Sequence, residues 1–180
     1  MVVPVFLLLL LGMLELCFAF DHNLTLSYAS REGARMGAAL AAGKTLSNCA
    51  DVDKYVISAV ERVLTSEGSP VAQHLGDISS IRIFKADSAG NQTGSFANVW
   101  SPGHGPTVDG RALDFSQTTN GWSPCSRTNT TANPDSIGVS ISYTYRFITP
   151  LSGILRFFGG SGGSTLPMTD RTVMALNPTD

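Results

Sequence analysis

Hydrophobic and polar positions divide this chain into an apolar front and a mixed body. Val2 to Phe20 is an apolar run broken by Pro4 and Glu15. A helix-compatible stretch follows without a proline and contains Arg31-Glu32-Gly33-Ala34-Arg35. The pattern predicts one helix from about Val3 to Gly43, roughly 60 Å long at 1.5 Å per residue. Its first half is long enough to cross ~30 Å of hydrocarbon. Its second half carries Ala29, Gly33, Gly37 and Ala41 at four-residue spacing, with Ser30, Ala34, Ala38 and Ala42 in the next row. Adjacent rows of small residues let another element approach closely, either this protein's own sheet or a second copy of the helix. The plain alternative is an alanine-rich, strongly helical stretch, but glycine inside a helix is unfavourable, which favours a packing surface.

Asp51 to Thr65 reads as an amphipathic helix, with Val52, Tyr55, Val56, Ala59, Val60, Val63 and Leu64 on one face. Ser47, Asn48 or Asp51 is placed to cap its start, and Gly68-Ser69-Pro70 ends it. Ile78 to Ala86 alternates as a strand. Ile137 to Phe147 alternates cleanly: Ile137, Val139, Ile141, Tyr143, Tyr145 and Phe147 share one face. Thr172 to Leu176 is a last strand. Asp87 to Pro134 reads as a long loop-rich region pinned by Trp100, Trp122 and Cys125. Leu151 to Phe158 is a short amphipathic piece, and the Gly/Ser run from Gly159 to Ser164 a flexible loop. The order is that of an α+β fold: a long N-terminal transmembrane helix and a second helix packed on a small antiparallel sheet. The expected division is residues 1–20 in the membrane, 21–46 as the extramembrane continuation of the helix, and 47–180 as an extracytoplasmic α+β domain.

Glu15 has two readings. It is an acid tolerated near the membrane surface, or a carboxylate that meets a partner inside the membrane; unpaired at mid-bilayer it costs about 3 kcal/mol. A cleaved signal peptide competes with the anchor, but no Lys or Arg precedes the apolar core, and Cys17-Phe18-Ala19-Phe20 is a poor small-x-small exit. The positive charges Arg31, Arg35 and Lys44 all follow the span, which by the positive-inside rule puts the body in the cytoplasm. A basic leader lost upstream of Met1 would remove that conflict.

Composition narrows the function. Among 180 residues only 14% are charged and the net charge is −2, so no nucleic-acid partner is expected. Of the three cysteines, Cys17 lies in the apolar run. Cys49 and Cys125 either pair in an oxidising compartment or remain two thiols; paired, they would add roughly 4 kcal/mol by closing a long loop. His22, His74 and His104 are too scattered for a metal motif, and His104 sits in a turn-like Pro-Gly-His-Gly-Pro. Asp109, Asp114 and Asp135 read as solvated loop acids. No GxSxG, Walker loop or CxxC is present. No enzyme activity, metal or cofactor is expected.

Pro4-Val5-Phe6-Leu7 through Gly12-Met13-Leu14-Glu15-Leu16, followed by Ala29-Ser30-Arg31-Glu32-Gly33-Ala34-Arg35-Met36-Gly37-Ala38, resembles the TadE-like family. These are pilin-like proteins of bacterial Tad systems, which assemble Flp-type pili. The resemblance covers about Pro4 to Gly43. It implies a membrane-anchored minor pilin or pseudopilin in the inner membrane with its C-terminal domain outside the cytoplasm. The implied partners are other pilin-like subunits, inner-membrane components of a Tad machine, membrane lipid and, if a leader lies upstream, a prepilin peptidase. Pro4, Glu15, Ala29, Gly33, Gly37 and Ala41 are then the helix-packing and assembly positions, and Arg31, Glu32, Gly33, Ala34 and Arg35 a membrane-proximal motif. Family members carry a basic leader and a glutamate-containing stretch before the proline, where this chain has Met1-Val2-Val3. The expectation is a start codon placed too late, or a member that is not processed. The alternative function is a secreted or anchored adhesin-like binding module with a cleaved N-terminal signal.

Overall fold

The computed structural model describes residues 2–43, 46, 48–149 and 165–178. Helix α1 spans Val2–Leu40, 39 residues or about 58 Å. Pro4 falls in its first turn, where no intrahelical N–H is lost. The helix ends at Ala41, which takes a left-handed φ of +48°, and Gly43 follows at +73°. A side chain on Gly43 would collide with the backbone of Cys49, so glycine permits the tight turn into the body. A short 3-10 turn, Cys49–Asp51, leads into α2, Val52–Leu64. Asn48 caps that turn by accepting the Ala50 N–H at 3.1 Å. Asp51 makes no cap bond and pairs instead with Lys54 at 2.5 Å. Ser47 lies outside the described residues.

Five antiparallel strands follow in the spatial order β5-β2-β1-β6-β7: β1 Ile78–Ala86, β2 Gln92–Pro102, β5 Phe115–Asn120, β6 Ser136–Arg146 and β7 Thr165–Ala175. A small hairpin, β3 Thr107–Val108 and β4 Arg111–Ala112, turns at Asp109-Gly110, both at positive φ. The expected α+β arrangement is present.

The region from Asp87 to Pro134 is not loop-rich as expected. β2 pairs with β1 and β5 with β2. Both strands are rich in Ser, Thr, Asn and Gln, and only Ala97, Asn98, Trp100 and Phe115 among them are buried, so alternation is faint. Asp109-Gly110 was a hairpin signal available in the sequence. The last strand begins seven residues before Thr172, because it is a largely exposed edge strand that pairs with β6 from Thr165 onward. Pro167 is tolerated there because an edge strand has one side without ladder bonds. The expected amphipathic piece and Gly/Ser loop at 151–164 lie outside the described residues.

Both helices pack on one face of the sheet. The core joins Val52, Val56, Ile57, Val60 and Leu64 of α2 to Ile81, Ile83, Trp100, Ile137, Val139 and Ile141 of the sheet, with Leu26, Ala29, Ala34 and Ala38 of α1 closing it. On the other face Phe84 lies over Gly138, its partner in register, with Ala86 and Ala97 beside it. A side chain at position 138 would meet the Phe84 ring at 2.3 Å.

Candidate functional site: the helix-domain seam

Among the described residues, the outer part of α1 touches little. Val3, Val5, Phe6, Leu7, Leu9, Leu10, Met13 and Leu14 are exposed. By length and composition, Val5–Leu40 is a helix able to cross a membrane, and it is the one candidate span among the described residues. Packing against the domain begins within the segment assigned to the membrane, at Glu15 and Ala19, and continues through His22, Leu26, Ala29 and Ser30. Leu16, Phe18, Phe20, Leu24 and Tyr28 face outward along the same stretch.

Glu15 is the first fastening. The end of β6 reaches it: Tyr145 donates its hydroxyl to Oε1 at 2.5 Å, the Ile148 N–H donates to the same oxygen at 2.9 Å, and the Thr149 N–H donates to Oε2 at 2.8 Å. The carboxylate is 3% exposed and its partners belong to its own chain. Its partners stand 130 to 134 residues away, at the end of β6 and just beyond it. Burial first, then the bond to Glu15, raises the Tyr145 phenol above its ordinary value, so it remains a donor.

Above Glu15 the seam is built by small residues. A Cβ on Gly33 would fall 2.5 Å from Cγ2 of Val60, and one on Gly37 would fall 2.6 Å from Cδ1 of Ile137. Ala29, Ala34 and Ala41 are fully buried. Ser30, in the second row, bonds Asp170 and, at 2.8 Å, Thr172 of β7. Of the two elements the small rows were expected to receive, the structure brings in the chain's own domain: α2, β6 and β7. The Asn177 N–H donates to the Ala38 carbonyl at 3.0 Å, tying the C-terminal segment to the last turn of the helix.

The Arg-Glu-Gly-Ala-Arg motif is split by the helix. Gly33 and Ala34 pack inward, while Arg31 and Arg35 face solvent. Arg35 closes on Glu32 at 2.6 Å, an exposed pair of the kind that contributes little stability.

Two further devices hold the body together. Cys49 and Cys125 form a disulfide with a Cα–Cα distance of 5.2 Å. It clamps the start of α2 to the segment after β5. Beside it, buried Asp53 accepts from Arg127 at 2.6 Å and from Asn98 at 2.5 Å. Asn98 also exchanges hydrogen bonds with the Trp122 backbone, and the Arg127 guanidinium lies 4.3 Å from the centre of the Trp122 ring. Sequence reasoning missed this network. Its signal was the row Asp53, Ile57 and Glu61 at four-residue spacing, which turns a second side of α2 toward β2 and β5. Glu61 on that row is fully buried, and one oxygen accepts the Asp114 N–H at 2.8 Å. Burial, more than any neighbour, pushes its pKa up to about 7.

At the membrane-proximal end, His22 stacks on Tyr143 and meets the edge of Tyr145. Burial, then the Asp77 carboxylate, pushes the Tyr143 phenol up to about 12. Of the loop acids, Asp135 is not free: it holds Lys85 at 2.7 Å and accepts the Thr128 N–H at 2.9 Å. Among the described residues, no group of three or more His, Cys, Asp or Glu is placed to hold a metal ion.

Residues 1–35 match the model of the family described as TadE-like protein. The match falls on the apolar half of α1 and on the helix through the Arg-Glu-Gly-Ala-Arg run. It agrees with the resemblance carried by those residues and points to a role connected with Tad pili. No curated protein and no solved structure matches the chain.

Proposed function

We propose that this chain is a membrane-anchored, TadE-like minor pilin or pseudopilin that works in Tad/Flp pilus assembly and surface adherence. It acts by binding and catalyses no reaction. The observation that carries this reading is the continuous α1, whose TadE-like, apolar half projects from a domain fastened to its other half. A discarded signal needs no such joint. Removing residues up to Phe20 would take Glu15 away from Tyr145, Ile148 and Thr149.

The domain faces the periplasm or the exterior. The Cys49–Cys125 disulfide supports that side, because such bonds persist in oxidising compartments. The exposed apolar surface from Val3 to Leu14 sits in inner-membrane lipid and later packs against other pilin-like subunits. Because the Gly/Ala rows are already occupied by the domain, subunit contacts use the outward ridge Leu16, Phe20, Leu24 and Tyr28, spaced one turn apart. Arg31 and Arg35 stand above this ridge as an exposed basic collar, facing a partner's acids.

Deletion of the gene is expected to abolish surface pili and adherence, seen by electron microscopy; unchanged piliation would refute the assignment. The alternative, a secreted binding module, predicts a mature N-terminus near Asp21 in the intact mass of the exported protein.

A further inference from the structure

A cavity of about 180 Å³ opens beside α1 at the membrane-proximal end of the domain. His22 reaches it from α1, His74 and Asp77 from the turn before β1, and Tyr143 and Arg146 from the end of β6. Asp77 accepts from Arg146 Nε at 2.7 Å, and its other oxygen lies 3.8 Å from His74 Nδ1. The two imidazole rings are 6.3 Å apart. His22 is only 4% exposed, yet among the described residues its buried Nδ1 has no hydrogen-bond partner. An orphaned buried polar atom is destabilising, and a polar occupant of the cavity would give it a partner.

The level of the cavity on the helix bears on the occupant. Along α1 the exposed surface is apolar through Phe20, and Asp21 is its first exposed charge. Ile148, on the cavity rim, is also exposed. The cavity thus lies where an apolar surface gives way to a polar one. For a membrane-spanning α1 this is the headgroup layer, so the inference rests on the anchored reading above.

We propose that this cavity holds the headgroup of a zwitterionic phospholipid with a primary ammonium, such as phosphatidylethanolamine. The phosphate lies against Arg146 and the imidazoles of His22 and His74, and the ammonium against Asp77. A bare anion would be repelled by Asp77, and a bare cation by Arg146. A headgroup carrying both charges satisfies each side, a primary ammonium donates hydrogen bonds to the Asp77 carboxylate that a trimethylammonium cannot, and the buried His22 nitrogen gains a partner.

The test uses the full chain in nanodiscs containing phosphatidylcholine with added phosphatidylethanolamine or phosphatidylglycerol, with retained lipid counted by native mass spectrometry. Imidazole NMR signals of His22 and His74 are followed in parallel in detergent, with free phosphoethanolamine and with inorganic phosphate. Retention of phosphatidylethanolamine is expected to exceed that of either other lipid about tenfold, the effect of one charge-assisted contact. Arg146→Gln and His22→Phe, the latter keeping a ring on Tyr143, should abolish the preference. Arg171→Gln, on β7 away from the cavity, should leave it intact. Imidazole shifts with free phosphoethanolamine but no lipid preference would support the same chemistry from a soluble source. Equal retention of all lipids without such shifts, an undiminished preference in Arg146→Gln, or a response to inorganic phosphate alone would overturn the proposal. Thermal melts confirm that the variants fold. Release of the chain from membranes by alkaline extraction would refute the anchor itself, whereas retention without headgroup preference would refute only this site.

Discussion

Gly33→Ala sets two effects of the same substitution against each other. In a helix interior, replacing glycine by alanine stabilises by about 1 kcal/mol through backbone entropy. At this position the new methyl would lie 2.5 Å from Val60 Cγ2 and 3.4 Å from Val139 Cγ1. Val60 is fully buried and close-packed, so it has to shift by about 1 Å to restore van der Waals contact. Overpacking of that kind costs about 1–3 kcal/mol. The expected net result is a loss of about 1 kcal/mol, or roughly 2–4 °C in Tm for a domain of this size. Gly33→Val adds bulk with less propensity gain and should lose about 2 kcal/mol or more. Ala39 is exposed on the same helix, so Ala39→Gly calibrates the propensity term at about 1 kcal/mol. Thermal unfolding of the full chain in detergent, at subunit concentrations where it is monomeric, measures all three. If Gly33→Ala raises Tm by as much as Ala39→Gly lowers it, the glycine is not a close-packing device within the chain. The small rows would then be free for a second copy, and the seam would be wrong.

Three further outcomes follow from the same structure. Glu15→Ala leaves the Tyr145 hydroxyl and two N–H groups without their acceptor; solvent recovers part of this at the exposed Ile148. The expected loss is about 2–4 kcal/mol. Amide hydrogen exchange at Ile148 and Thr149 should accelerate, and unchanged protection there would remove the fastening from the account. Glu61 has a folded pKa of about 7, above its unfolded value of 4.5. The folded state therefore binds more protons between those two values, and stability falls as pH rises through that window, by about 3 kcal/mol in total. Glu61→Gln keeps the acceptor for Asp114 without the charge, so its Tm advantage should grow from pH 4.5 to pH 8; parallel profiles would contradict the buried carboxyl. Cys125→Ser opens a loop with a sequence separation of 76 and should cost about 4–5 kcal/mol in the chain-entropy model, measured by guanidinium unfolding.

Local periodicity made much of this chain legible. An unbroken apolar run continuing into Ala and Gly at helical spacing specified α1 almost to its last turn. The strict alternation of Ile137, Val139, Ile141, Tyr143 and Tyr145 specified β6, and the spacing of Val52, Val56 and Val60 specified α2. In each case one face is buried along the whole element, so the burial pattern is written in consecutive residues. β2, β5 and the first half of β7 were not legible in this way. They are polar strands held by backbone pairing to neighbours that carry the hydrophobic signal.

Which residues meet was decided only by the tertiary structure. Nothing near Glu15 in sequence says that its carboxylate belongs to Tyr145, Ile148 and Thr149. Nothing around Asp53 names Asn98 and Arg127. The small rows of α1 announced a close approach, but not what would approach. The contacts of Glu15 and Asp53 join residues 45 to 134 positions apart, and they exist only once the sheet has ordered its strands. The sequence by itself determined α1, α2, β1, β6 and the TadE-like front of the helix, because those depend on neighbours one turn away. The fold alone decided that the helix and the domain are one joined piece, because that depends on partners that chain topology brings together.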